Sequence, residues 1–288
     1  MELGTLYLVP TPIGHPRDIT LRAIDVLGSV DLIAAEDTRH ARTLLQPLAI
    51  GTRLVSYHDH NEQSRTGQLL DALRAGQDVA LISDAGTPMV NDPGYRLVTA
   101  AIEAGLRVVP LPGASAAVSA LIGSGLPVHR FCYVGFLPRK AAARQAALRE
   151  LRDLDASLIF FEAPHRLLET VRDARAVLGD RRAALARSIS KPDERFLRGT
   201  LAELDAELAG LDTVRGQYTV VVAGADPVAS TADRAEAGRI AGVLLANGAD
   251  PRLTRATVQE LTGLARNEVY ELVAGLAAGR RGADRNPA

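Results

Sequence analysis

Two polar runs in this chain carry residue types suited to moving a proton. Glu36-Asp37-Thr38-Arg39 and His58-Asp59-His60-Asn61-Glu62 each follow a short apolar stretch. Histidines set among carboxylates and an amide suit general-base work or hydrogen bonding to a polar substrate. The i, i+2 spacing of His58 and His60 is poor for a metal cage. Asp37 or Thr38 also makes a good helix N-cap, a role that needs no substrate. Two later runs, residues 160–166 and 186–195, read as strand ends that begin helices. They place Arg166, Arg187 and Lys191 where an anion or an interdomain ion-pair network would use them.

Three loops have the texture of ligand sites. Residues 9–18 are rich in proline, residues 83–95 hold two glycines and two prolines with two acids, and residues 110–116 lead from a strand into a helix. Glycine lets backbone approach a ligand and proline fixes the approach. A helix start also offers free amides to a polar group. No G-x-G-x-x-G follows a strand-like run and no G-x-x-x-x-G-K-[ST] occurs, which removes the main support for ordinary dinucleotide or P-loop binding.

These loops need a framework that brings them together. Apolar runs at residues 6–9, 32–35, 53–56, 79–83 and 108–111 alternate with helical patterns at 21–27, 38–46, 65–75 and 93–104. Continuous rather than alternating apolar runs predict a parallel sheet covered on both faces. Its loops then converge at the carboxyl ends of the strands, where α/β folds bind ligands. Asp92-Pro93 reads as the N-cap and first residue of the last of these helices.

Beyond Pro112-Gly113 a small-residue helix at 114–123 ends at Gly123-Ser124-Gly125, read as a C-cap. Strands follow near 131–135, 157–161, 182–187 and 218–223. A charged helix over 139–155 carries Arg139, Lys140, Arg144, Arg149 and Arg152. After Asp226-Pro227 the pattern is helical only, about three helices, with residues 279–288 a frayed basic end. The expected organisation is an N-terminal α/β domain at 1–112, a second α/β domain at 113–225 and a small C-terminal helical module at 226–288. Arg252, Arg255 and Arg266 beside Asn267 and Tyr270 suit an RNA-reading tail or plain packing helices.

Composition narrows the classes. The 288 residues are 47% hydrophobic and 23% charged, near globular averages, which excludes disordered and fibrous chains. Net charge is −1, and by part it is −4, +3 and 0, so any polyanion site is local. Only Lys140 and Lys191 are lysines. With no tryptophan and 4% aromatics, arginine rather than stacked rings must do phosphate work. A single Cys132 forbids an internal disulfide. No early segment reads as a signal peptide and no apolar stretch reaches the ~18 residues of a membrane span, so the cytoplasm and no membrane partner are expected.

In this order and spacing, "LVPTPIG", "AAEDTRH", "HDHNE", "SDAGTPMVNDPGYRLV", "PLPGASA", "GFLPRK", "FFEAPHRLLETV" and "RGQYTVVVAG" resemble the ribosomal RNA small subunit methyltransferase I branch of the tetrapyrrole methylase superfamily. The resemblance runs from about Gly4 to Gly224. A weaker one covers "LTRATVQELTGLARNEVYELVAGL", similar to the family's C-terminal helices. It implies two α/β domains of the tetrapyrrole methylase type with S-adenosyl-L-methionine (SAM) in the cleft between them, no metal, and a homodimer. The implied reaction is methylation of the 2′-hydroxyl of a cytidine in the decoding region of 16S rRNA in the small ribosomal subunit.

Carried over by position, Pro10, Asp84, Gly86, Thr87, Val90, Ser115 and Ala116 would touch SAM, with Phe161 and Ala186 closing it from the second domain. His15 stands where the family usually has Asn, Arg187-Ser188-Ile189-Ser190-Lys191 where it has Arg-Glu-Leu-Thr-Lys, and Gln217 where it has Glu. No carboxylate at 188 or 217 can therefore serve. A ribose hydroxyl needs a proton acceptor, and the sequence candidates are His58 and Asp37, then Glu162. Arg39, Arg166, Arg187 and Lys191 are the candidate phosphate contacts. Alternatives are a precorrin-type tetrapyrrole methyltransferase, against which the basic helix and the tail argue, and a non-catalytic ribosome-assembly factor.

Overall fold

The computed structural model describes residues 2–225, 227–264 and 266–283, with side chains throughout except at 227–233 and 277–283. Asp226, at the expected start of the helical module, and residues 284–288 of the expected frayed end lie outside the described residues; 279–283 are helical.

The first sheet is made of β1 (Thr5–Leu8), β2 (Leu32–Ala35), β3 (Arg53–Ser56), β4 (Val79–Ile82) and β5 (Arg107–Pro110). Their order is β3-β2-β4-β1-β5 and every pairing is parallel. The inner strands β2 and β4, LIAA and VALI, are buried at every residue, as a sheet covered on both faces requires. Helices α1 (Leu21–Ser29), α2 (Thr38–Leu45), α3 (Glu62–Arg74) and α4 (Tyr95–Glu103) supply the cover. One layer packs Leu69, Leu73 and Leu97 on Leu6 and Leu81; the other packs Leu27 and Leu45 on Ile33 and Ile82. Because all five strands run the same way, the loops leaving them share one edge.

Helix starts follow their caps. Thr20 accepts from the Ala23 amide at 3.0 Å and Asp37 from the Arg39 amide at 2.8 Å. The expected Asp92 cap is not used. α4 begins at Tyr95 with Gly94 at the N-cap position (φ 139°) and no side-chain cap. Met89 and Asn91, at φ 72° and 66°, carry the chain on through left-handed turns, so the helix starts later than Asp92-Pro93 suggests.

Small residues build α5 (Ala116–Ser124), capped by Ser115 and ended by Gly125 at φ 75°. The second sheet then contains β6 (Phe131–Phe136), β7 (Ser157–Glu162), β8 (Arg182–Arg187), β9 (Arg195–Thr200) and β10 (Tyr218–Val222) in the order β6-β7-β10-β8-β9. Only β6 and β7 pair in parallel. The run after β8 was expected to enter a helix. Instead it turns back as a hairpin, with Ser188 and Ser190 at φ 50° and 66°, and β9 pairs Arg195 with Arg187.

Helices α6 (Ala141–Glu150), α7 (Leu167–Leu178) and α8 (Leu201–Ala209) complete this half. On α6, Arg144 is 1% exposed and bonds Asp173 of α7 at 2.6 Å, so the charge at the centre of the expected basic helix is an internal tie.

Residues 1–152 and 156–223 form one compact unit that holds both sheets; 153–155 and 224–288 form another. In the latter, α9 (Pro227–Ala246), α10 (Pro251–Thr262) and α11 (Arg266–Ala283) enclose Ala237, Ala241, Val258, Val269 and Val273. Arg255 lies over the Tyr270 ring at 5.0 Å. Among the described residues no helix is long and apolar enough to cross a membrane.

Candidate active site

The exits of β1, β4 and β5 are laced to one another. Thr11 and Gly86 exchange backbone hydrogen bonds at 2.9 and 3.0 Å, the Thr11 hydroxyl donates to the Ser83 carbonyl at 3.1 Å, and the Thr87 hydroxyl donates to the Ala114 carbonyl at 3.0 Å. Gly86 needs its lack of a side chain: φ is +85°, and a Cβ would stand 3.3 Å from Ile13. The exit of β2 joins through the Asp37 amide, which donates to Asp84 Oδ1 at 3.1 Å.

The second sheet faces these loops. Tyr133 of β6 donates its hydroxyl to Asn91 Oδ1, and Gly135 leaves room for the same Asn91, whose side chain a Cβ there would meet at 3.0 Å. At the hairpin, Ser190 Oγ accepts from the His15 amide at 3.0 Å and donates to Asp18. Between the halves lies a cavity of about 480 Å³, within the ~300–1,000 Å³ of small-molecule sites. Glu36, Asp84 and Asp92 form its acidic side; Phe136, Phe161 and Tyr218 form its apolar side. Phe161 packs edge to face with Tyr133 and Phe136, centroids 5.3 and 5.7 Å apart.

Of the positions expected to touch SAM, Asp84, Gly86, Thr87, Val90, Ser115, Ala116 and Phe161 line this cavity. Pro10 is buried beneath Gly113, where a Cβ would lie 2.6 Å from its ring. Ala186 is wholly buried against α5 among Ala117, Ala120 and Leu121. Both stand behind the lining rather than in it.

The proton-transfer candidates separate. Asp37 is bound by Arg39 through side chain and amide, which holds its carboxyl well below the usual range, and it lies outside the cavity lining. Glu162 lines the cavity, but its Oε1 accepts from the Ala163 amide at 2.8 Å and its Oε2 from Arg166 at 3.0 Å and Thr170 at 2.6 Å. His58 sits beside Asn61 with Nε2 3.2 Å from its amide nitrogen, is not itself a lining residue, and its buried Nδ1 has no partner among the described residues.

The cations separate too. Arg39 is 86% exposed, whereas Arg166 is 14% exposed and bonds the Leu137 carbonyl at 2.8 Å besides Glu162. Arg187 pairs with Asp193 at 3.0 Å, and Lys191 Nζ donates to Gln217 at 2.9 Å.

Sequence reasoning assigned Asp92 only a capping role and Tyr133 none, and Glu36 entered only as part of its polar run. Burial first, then Glu36, Asp84 and Asp59, push the Asp92 carboxyl up to about 6 against a hydrogen bond from Ser83. Burial and Asp84 raise Glu36, opposed by the Asp84 amide. Burial and Asp92 push Tyr133 up to about 12. The available signal was the density of acids at strand exits; what it lacked was which of them turn inward.

Comparison with known proteins agrees with this geometry. The family described as Tetrapyrrole (Corrin/Porphyrin) Methylases matches residues 5–205. The chain is 64% identical over 270 residues, 94% of its length and 86% of the relative's, to a ribosomal RNA small subunit methyltransferase I of Micromonospora olivasterospora. It is 46% identical over 274 residues, 94% and 97% of the two chains, to a protein so named from Pseudomonas aeruginosa. Two solved structures share the fold. Diphthine synthase has a TM-score of 0.59 at 18% identity, covering 77% of this chain and 90% of that one. Thermus thermophilus uroporphyrin-III C-methyl transferase, complexed with S-adenyl homocysteine, has a TM-score of 0.53 at 23% identity, covering 76% and 97%. The chain belongs to the tetrapyrrole methylase family, in its branch of ribosomal RNA small subunit methyltransferases.

Proposed function

We propose that the protein transfers a methyl group from SAM to the 2′-hydroxyl of a cytidine in the decoding region of 16S rRNA. The observation that carries this reading is the cavity with an acidic side and an apolar side, in a chain 64% identical to a relative named for small-subunit rRNA methylation. A donor that joins an adenine to a sulfonium suits both sides. Asp84, Gly86, Thr87, Val90, Ser115, Ala116 and Phe161 would hold it, while Pro10 and Ala186 brace the lining from behind. The donor supplies an electrophilic methyl carbon on a good leaving group. The protein supplies position: displacement at carbon needs nucleophile and methyl aligned at ~3–3.5 Å.

Arg39, the most open of the candidate cations, would meet RNA phosphate, with Arg187 and Lys191 at the hairpin and Arg166 acting from behind Glu162. An rRNA substrate places the work on the small ribosomal subunit in the cytoplasm. Val118 and Ile122, four residues apart on α5 and 47% and 70% exposed, offer a second copy an apolar strip to cover, which favours a homodimer.

The test is incubation with methyl-labelled SAM and small subunits from a strain lacking the gene, followed by mass mapping of the 16S rRNA. Ribose-methylated cytidine in the decoding region is expected. Label only in a tetrapyrrole offered alongside, or none in either, overturns the reading.

A further inference from the structure

The C-terminal unit sorts its residues between a small core and an open face. α10 buries Thr254 and Val258, and α11 buries Val269 and Val273, against the alanines of α9. Arg252 and Arg255, one turn apart on α10, lie outside that core, as do Arg266, Asn267 and Tyr270 at the start of α11. Gly263, at φ 67°, ends α10, and α11 begins three residues later at Arg266. Helix pairs joined by so short a glycine turn recur in nucleic-acid-binding proteins. Across the turn Arg255 lies over the Tyr270 ring at 5.0 Å, and Tyr270 is still 56% exposed.

The positive charge of this face is open. Glu268 of α11 is held by Arg234 of α9, and Glu236 of α9 by Arg239 of the same helix. Asp250 caps α10 through the main-chain amide of Arg252, at 2.7 Å, and not through its guanidinium. Arg252, Arg255 and Arg266 have no carboxylate partner among the described residues. Glu260 stands five residues beyond Arg255 and so off its row, while Glu271 borders Tyr270.

We propose that this face binds an unpaired stretch of the RNA substrate, an inference that rests on the rRNA-methylation reading above. A base stacks on the Arg255–Tyr270 pair, and Arg252 and Arg266 meet the neighbouring phosphates. Guanidinium planes and aromatic rings both accept a stacked base, and unpaired bases are the ones free to stack. The deep, narrow major groove of duplex RNA admits no side chains, which excludes a paired segment as the occupant of the ring. Helices that only packed would bury the tyrosine and pair the arginines.

The experiment uses the full chain, naked 16S rRNA for filter binding and small subunits for methylation. Tyr270→Ala is expected to weaken rRNA binding by ~5–150-fold, the loss of one stacked base, and Tyr270→Phe to restore it. Arg252→Ala combined with Arg266→Ala should lower the slope of log affinity against log salt by about 1.4, ~0.7 for each phosphate contact on a single strand. In methylation the Tyr270→Ala loss reads as a higher KM for subunits, with kcat at saturation and SAM affinity by calorimetry within about threefold of wild type. Far-UV circular dichroism keeps its wild-type helical signal, since none of these side chains lies in the core. Tyr270→Ala binding within about threefold of a wild type that labels rRNA, or an unchanged salt slope, overturns this inference and leaves the reading standing. A loss seen with intact subunits but not with naked rRNA gives the face to a ribosomal protein and overturns the inference equally. A wild type that labels no rRNA overturns the reading itself, and this role with it.

Discussion

The main-chain amide of Asp37 donates to the Asp84 carboxylate at 3.1 Å, tying the exits of two adjacent strands of the first sheet beside the cavity that Asp84 lines. Hydrogen bonds to a charged group are worth ~1.5–3 kcal/mol, which is about 10–100-fold in an equilibrium. Asp84→Ala is therefore expected to weaken SAM binding by about that factor. Titration calorimetry checks it; unchanged affinity removes Asp84 from the donor site.

Gly113 lies against Pro10, with 2.6 Å between a built Cβ and the proline ring, while Gly28 in α1 has nothing within 4 Å. Overpacking of this kind costs ~1–3 kcal/mol, and glycine in a helix gives up ~0.5–1 kcal/mol relative to alanine. Gly113→Ala should lower the chemical-denaturation midpoint and Gly28→Ala should raise it. The opposite ordering would show that the β5 exit relaxes freely over Pro10.

Arg144 and Asp173 form an ion pair whose side chains are 2% and 14% exposed. Breaking a buried pair from one side costs ~3–5 kcal/mol, while replacing both partners by apolar groups is often neutral. Asp173→Leu alone is expected to destabilise strongly, and Arg144→Met with Asp173→Leu to restore most of the loss in urea unfolding. A double variant as unstable as the single would assign the cost to packing.

Asp92 carries a stability signature of its own. Its folded value of about 6 lies above the ordinary 3.8, so the unfolded chain ionises first and stability falls as pH rises between those values. Discounted for partial solvent exposure, Asp92→Asn should stabilise the protein by about 1 kcal/mol at pH 8 and by about nothing at pH 3.5. Unfolding curves at the two pH values decide it.

Arg39 and Arg166 are expected to separate proposed RNA contact from internal bracing. Removing one phosphate contact reduces the slope of log affinity against log salt by about 0.9. Arg39→Ala should show that reduction with stability intact. Arg166→Ala should instead lower the melting temperature, because it strips Glu162 of its cation. Equal slopes for wild type and Arg39→Ala place the RNA elsewhere.

How far the sequence carries can be seen at single residues. The first sheet was readable because parallel, doubly covered strands are continuous apolar runs, and because like-directed strands put Gly86, Thr87 and Ser115 on one edge. The strand β9 was not: RFLRGT is half exposed at the edge of its sheet and is defined by pairing with β8 rather than by any apolar period. Asp92-Pro93 is a good helix start in isolation. The left-handed turns at Met89 and Asn91, fixed by contact with Tyr133 over forty residues away, send the carboxylate inward instead. The acidic side of the cavity thus comes from strand exits of the first sheet, whereas the apolar side arrives through the register of a second sheet.

The stretch from Thr87 to Gly94 visits positive φ at Met89, Asn91 and Gly94, and its middle is held by a phenol from the opposite half. A segment bent so sharply in so few residues has little latitude, and a left-handed Met is disfavoured by ~1–2 kcal/mol. That disfavour is met once, as the chain folds. An arriving ligand then finds a mould already cast, surrenders little disorder of the protein on entry, and leaves behind the same shape for the next molecule.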